Sequence, residues 1–321
     1  MAKRRPAKRT QPADLSRVKT VPIRRRRSKV NEDLLAKVPQ PGQPLAAFLD
    51  SLPDILKARD LREVGSLIAK AHARDRGVVW MMGAHPIKCG LSPLIIDLIE
   101  RGVITAVATN GAGAIHDVEM ALFGQTSEDV AEGLADGSFG MARETGEFHN
   151  AALTRGHAEG IGAGEALAKA LNRARAPHLD LSVLAAADRA GIPATVHIAI
   201  GTDITHQQPS ADGAALGATS HHDFRLLCTA VERLARGGVV LNVGSTVVLP
   251  EVFLKALTVA RNLGKKVQGF TAVNFDMIQH YRPNTNVVER PTQLGGRRFS
   301  FTGHHELMIP LLCSLILRDL K

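Results

Sequence analysis

The side chains able to move protons in this chain gather in short stretches that follow apolar runs. They are GAHPIKCG (83–90), TNGAGAIHD (109–117), GTDITHQQP (201–209), GSTVVLPE (244–251) and NFDMIQHYRPN (274–284). Imidazole titrates near neutrality, so His116 and His206 are the candidate acid–base groups. Lys88 is a candidate nucleophile, which requires an amine held partly unprotonated by burial or a cationic neighbour. Asp117 and Asp203 are carboxylates suited to hold an ammonium group or a ribose. Arg282 suits a phosphate or carboxylate, and His304 is a further substrate-side candidate.

Thirteen histidines are present, and seven fall at expected strand ends: His85, His116, His206, His221, His222, His304 and His305. Acids stand beside them at Asp117, Asp203, Asp223 and Glu306, and HHD (221–223) reads as the opening of a helix capped by Asp223. Metal hydrolases gather His and Asp from strand ends in this way, so a metal-dependent hydrolase remains one class. No HExxH or other tight spacing appears, so no residue is assigned as a metal ligand. Cys89 beside Lys88 reads either as a reactive thiol or as a small packing residue.

Thr109, Asn110, Gly111 and Gly113 lie between an apolar run and a helical pattern. Glycines there let backbone N–H groups approach a phosphate at a helix N-terminus. A third glycine, as in G-x-G-x-x-G, is missing, with His116 in its place, and a plain tight turn explains the two glycines equally well. GIGAG (160–164) follows a polar stretch and reads as the start of a helix.

The elements that position these loops have a clear period. GVVWMM, VITAVAT, ATVHIAI, GVVLNVG and KVQGFTAV are short β-rich runs without alternation, the pattern of strands buried on both faces. Helical patterns separate them, among them LSPLIIDLIERG, AIHDVEMALFG, GEALAKALNRA and LPEVFLKALTVARNLG, several ending in glycine. The alternation predicts a doubly wound, mostly parallel α/β sheet with helices on both faces, whose ligands bind at the carboxyl ends of the strands. Trp80 falls inside a strand and is expected in the core.

The net charge of +9 suggests a polyanion partner until it is located. Residues 1–30 hold twelve Lys/Arg against Asp14 alone, a net of +11, which leaves −2 for the rest. The expectation is a basic, disordered arm over 1–40 that contacts polyanions weakly, followed by one near-neutral α/β domain over 41–321. Three cysteines without CxxC spacing fit a reducing cytoplasm, and LMIPLLCSLIL is too short to span a bilayer.

The order and content of the loops resemble the deoxyhypusine synthase family over roughly residues 77 to 319. GAHPIKCG stands where that family has Thr-Ser-Asn ending in Ser-Gly, with Gly90 matching. TNGAGAIHD resembles its Thr-Thr-Ala-Gly-Gly segment, with Thr109, Gly113 and Asp117 in register. Thr202-Asp203-Ile204-Thr205 resembles its Thr-Asp-Gly-Ser, and Gly244-Ser245-Thr246-Val247-Val248 its Gly-Gly-Gly-Val-Val. The resemblance implies a Rossmann-like fold, NAD held by Thr109, Asn110, Gly111, Gly113, Asp203, Gly244, Ser245 and Thr246, a small polyamine-type substrate, and a homotetramer.

The sequence departs from that family at its covalent lysine. NVVERPTQLGGRRFSF carries Arg297 and Arg298 where Trp-Gly-Lys belongs, and arginine offers no free amine. Pro250 stands where the family has a histidine. The expectation is an NAD-dependent transferase or oxidoreductase acting on an amine without authentic deoxyhypusine synthesis. A metal-dependent hydrolase and a non-catalytic NAD-binding or assembly protein are the alternatives.

Overall fold

The computed structural model describes residues 10–320. Its centre is a six-stranded sheet of β1 (Val78–Met82), β2 (Ala106–Asn110), β3 (Ala194–His197), β4 (Val239–Val243), β5 (Thr271–Asp276) and β6 (Arg297–Thr302). The spatial order is β3-β2-β1-β4-β5-β6 and every pairing is parallel, so the chain reverses its direction of winding between β1 and β4. β1 and β4 are buried at every position, which explains why they are apolar throughout apart from Asn242, whose amide donates to Asn274 of β5.

Twelve α-helices surround the sheet among the described residues. In chain order they are α1 (Leu45–Ser51), α2 (Leu56–Ala73), α3 (His85–Lys88), α4 (Ser92–Glu100), α5 (Gly111–Phe123) and α6 (Val130–Asp136). There follow α7 (Arg143–Glu159), α8 (Ala163–Ala174), α9 (Val183–Arg189), α10 (Gly213–Ala230), α11 (Val248–Asn262) and α12 (His305–Asp319). On one face α2, α4 and α12 pack against Val78, Trp80, Met82 and Leu241, with Trp80 in the core as expected. On the other, α10 and α11 cover Val79, Met81 and Val240. A third cluster joins α5, α7 and α8 around Val196 of β3.

One helix boundary differs from the sequence reading. HHD lies inside α10, which begins eight residues earlier at Gly213 under an Asp212 cap that accepts from Ala214 and Ala215 N–H. Asp223 is fully buried and accepts from the N–H groups of Gly164 (2.9 Å) and Val196 (2.7 Å), so it ties α8 to β3 instead of capping its own helix. α7 has no clear apolar stripe in the sequence because it packs through small residues. A Cβ on Gly156 would lie 2.5 Å from Ala166 Cβ in α8.

Residues 10–33 of the basic arm run exposed through single 3-10 turns, and residues 1–9 of it lie outside the described residues. Among the described residues no helix is long and apolar enough to cross a membrane.

Candidate active site

Because all six strands are parallel, their carboxyl ends bring the five chemistry-bearing loops to one edge of the sheet. The loops after β1, β2 and β3 enclose a cleft of about 290 Å3. Lys88, His116, Glu119, Glu128 and Asp203 line it. A second hollow of about 470 Å3 continues past Glu119 and Glu128 to Glu144. Three carboxylates therefore share the cleft with a single lysine.

His116 stands on the second turn of α5 and Glu119 three residues on, which puts both on one helical face. The hydroxyl of Thr126 lies between them, 2.6 Å from His116 Nδ1 and donating to Glu119 Oε2. Thr145 Oγ1 of α7 donates to the other Glu119 oxygen at 2.9 Å. An ionised carboxylate only accepts, so the Thr126 proton goes to Glu119 and its oxygen accepts from His116 Nδ1–H. That fixes the tautomer and leaves the His116 Nε2 lone pair as the ring's basic atom. Burial holds His116 below its ordinary pKa, with Glu119 opposing and Lys88 assisting. The ring is neutral at pH 7, as a base must be.

His206 is differently engaged. Its Nδ1 accepts the N–H groups of Gly201 (3.1 Å) and Asp203 (3.4 Å), and its Nε2 lies 3.6 Å from Asp203 Oδ2. Its Nδ1 holds the loop 201–206 and its Nε2 is turned to Asp203, so of the two expected acid–base histidines the geometry favours His116. Neither nitrogen of the wholly buried His149 beside it has a partner, and burial pushes that ring down to about 4.

The glycine turn after β2 is closed by the chain's own side chains. A Cβ on Gly111 would lie 1.9 Å from Asp203 Oδ2, and one on Gly113 would lie 2.0 Å from Thr109 Oγ1. Asn110 Oδ1 accepts the Gly113 N–H at 2.9 Å. The Asp203 carboxylate thus sits where a phosphate would approach the α5 N-terminus. Burial raises its pKa, while His206, the Thr202 hydroxyl and the Ala112 N–H favour its charge. Asp117 is fully buried and turned to α9, accepting from Ser182 Oγ (2.5 Å) and Val183 N–H (2.7 Å), with its pKa raised by burial to about 6. It caps α9 and does not line the cleft.

The ends of β1 and β4 meet through glycines. A Cβ on Gly83 would lie 2.6 Å from the Gly244 carbonyl oxygen, and Gly244 has φ +67, a left-handed turn. Ser245 Oγ accepts the Leu249 N–H at 3.2 Å and opens α11, and half-buried Thr246 follows. Arg282 lies beyond this crevice, paired with Glu251 at 3.4 Å, and exposed His304 lies 3.7 Å from Glu306. Neither joins Lys88 and His116 in the cleft. The segment in register with the family's lysine motif forms a π-turn (Pro283–Glu289) and the edge strand β6, and Pro250 is buried in the first turn of α11.

The sequence reading missed Glu119, Glu128, Thr126 and Thr145. A spacing of three from His116 was the visible signal for Glu119. The threonines carried none, since they arrive from a loop and from α7.

The architecture defines a class, the doubly wound parallel α/β fold of Rossmann type with its reversal between β1 and β4. No family model matches the sequence, and neither does any curated protein. The fold is similar to that of a putative deoxyhypusine synthase from Entamoeba histolytica, with a TM-score of 0.52 and 10% identity over 87% of this chain and 95% of that one. It is also similar to AgrE in a ternary complex with ornithine and NAD+, at a TM-score of 0.51 and 16% identity over 83% of this chain. The chain spans about a third of the length of AgrE and of the cyanobacterial arginine dihydrolase ArgZ. At these identities the likeness is one of fold.

Proposed function

We propose that the chain is an NAD-dependent enzyme acting on a small cationic amine bound in the cleft after β1, β2 and β3. The observation that carries this reading is the His116–Thr126–Glu119 relay opening onto a cleft rich in carboxylates. Glu128 and Asp203 would hold ammonium groups, which a neutral or anionic substrate lacks. His116 Nε2 would take the proton that leaves the substrate nitrogen, with Glu119 stabilising the resulting imidazolium through Thr126. Lys88 is the amine at hand for a covalent step, or a fixed positive charge.

The residues fit a dinucleotide at the β1–β4 crevice better than at the glycine turn after β2. Gly83 and Gly244 leave backbone without side chains there, and Ser245 and Thr246 supply hydroxyls at the start of α11. Thr109 Oγ1 is buried without a partner, and it borders the same edge at the end of β2. A bound NAD supplies a hydride acceptor for the carbon beside the substrate's nitrogen. The fold likeness to NAD-bound AgrE and to a putative deoxyhypusine synthase supports this cofactor. A homo-oligomer, tetrameric by the sequence resemblance to the deoxyhypusine synthase family, is part of the same proposal.

The test is direct. Purified protein is incubated with NAD+ and a panel of amines (spermidine, putrescine, ornithine), reading NADH absorbance, alongside thermal melting with NAD+ alone. Amine-dependent NADH formation and a rise in melting temperature with NAD+ are expected. Protein that neither binds NAD+ nor turns over any amine refutes the reading.

A further inference from the structure

Beside the cleft lies a second group of donors that the proposed reaction does not use. His85 and Cys89 are four residues apart on α3 and the turn that ends it, where the Cys89 N–H donates to the His85 carbonyl at 2.9 Å. That spacing puts both side chains on one face. Glu306, in the first turn of α12, completes the set, and one ligand-type atom from each of the three lies within 4.8 Å of the others.

The surroundings point the same way independently. His305, only 1% exposed, stacks edge-to-face with His85 at 5.4 Å between ring centroids. Its Nε2 lies 3.1 Å from the Phe275 carbonyl, so that nitrogen carries the proton, and its Nδ1 lone pair finds no partner. Asp276, near enough to act on the His85 charge, also keeps a buried Oδ2 without a partner. Both unsatisfied atoms are acceptors, and an acceptor-rich lining suits a cation and the protons of a water bound to it. Lys88, at the end of the same turn, is the cation facing this group.

We propose that His85, Cys89 and Glu306 bind a divalent first-row metal of the zinc type. Imidazole, thiolate and carboxylate are the ligand types zinc accepts, and three protein ligands leave a fourth position for water. Bonds of about 2.0–2.3 Å place neighbouring ligand atoms roughly 3–4 Å apart. Closing the set onto a metal asks for adjustment first at Glu306, the exposed member of the three. Binding releases the Cys89 proton to solvent as the thiolate forms.

The experiment uses the full chain, stripped with a chelator and titrated with Co2+. One equivalent of Co2+ is expected to produce a thiolate-to-metal charge-transfer band in the near ultraviolet, with zinc displacing it stoichiometrically. Cys89→Ser removes the band, while Cys228→Ser keeps it, since Cys228 is buried on α10 in the core of the other sheet face. His85→Ala weakens Co2+ binding by about 10-fold or more. Zinc raises the melting temperature of the parent protein and of Cys228→Ser, but not of Cys89→Ser. A parent protein without the band, or a band that survives in Cys89→Ser, overturns the assignment. Amine-dependent NAD+ reduction plays no part in these readouts, so this site and the proposed reaction can fail separately.

Discussion

The substitution Gly111→Ala separates two uses of the glycine turn that opens α5. Gly111 does not have a left-handed φ, so alanine can adopt its backbone. In open space the change would stabilise the helix by up to about 1 kcal/mol. Here the new Cβ would lie 1.9 Å from Asp203 Oδ2 and 2.7 Å from its Cγ, and the Asp203 side chain is 5% exposed with little room to turn. Expelling the carboxylate removes an anion from a helix N-terminus, about 0.3–1 kcal/mol. It also breaks the capping box with His206, roughly 1 kcal/mol more, and separates Asp203 from the imidazole. The net expectation is destabilisation of about 1–2 kcal/mol. In an Asp203→Ala background the obstruction is gone, and Gly111→Ala becomes neutral or stabilising by up to about 1 kcal/mol. Urea unfolding of the four proteins in this double-mutant cycle gives the coupling energy, expected near 2 kcal/mol. Equal costs of Gly111→Ala in both backgrounds would refute the claim that this glycine exists to seat Asp203.

Further predictions concern the relay and the buried acids. Thr126→Val keeps the volume but leaves His116 Nδ1–H and Glu119 Oε2 without their shared partner. A loss of about 1–3 kcal/mol lowers amine-dependent turnover about 10- to 100-fold, with NAD+ affinity unchanged by thermal shift. Glu119 raises the His116 pKa, so Glu119→Gln lowers it further and moves the acid limb of the kcat/KM profile to lower pH. Asp117 is raised from 3.8 to about 6 by burial, so the folded state holds its proton more tightly than the unfolded chain. Its stabilising effect is complete below pH 3.8 and fades as pH rises through about 6. Asp117→Asn should therefore gain on the parent protein by up to ~3 kcal/mol between pH 4 and pH 7, measured by urea unfolding at each pH.

Much of the architecture could be read before any coordinates. Strands such as VVWMM and VVLNV are almost wholly apolar because helices cover both faces, and that signature survives in one dimension. Boundaries were harder. α10 begins at Gly213, capped by Asp212, and not at HHD, because Asp223 caps a different helix 59 residues away from its own position. The GIGAG stretch does lead into a helix, α8, as its polar surroundings suggested.

Sequence by itself determined the parallel α/β order, the strand-end loops and the presence of His116, His206, Lys88 and Asp203 on them, since periodicity and neighbours are local properties. The tertiary structure decided what those residues touch. It turned Asp117 toward α9, closed the glycine turn with Asp203, and brought Thr126, Thr145 and Glu119 around His116. Contacts such as Asp117 to Val183 or Thr145 to Glu119, tens of positions apart, depend on how helices lie across a sheet, and no linear spacing encodes them. The same holds for Glu306 beside His85 and Cys89, where more than two hundred residues of chain fold between the donors.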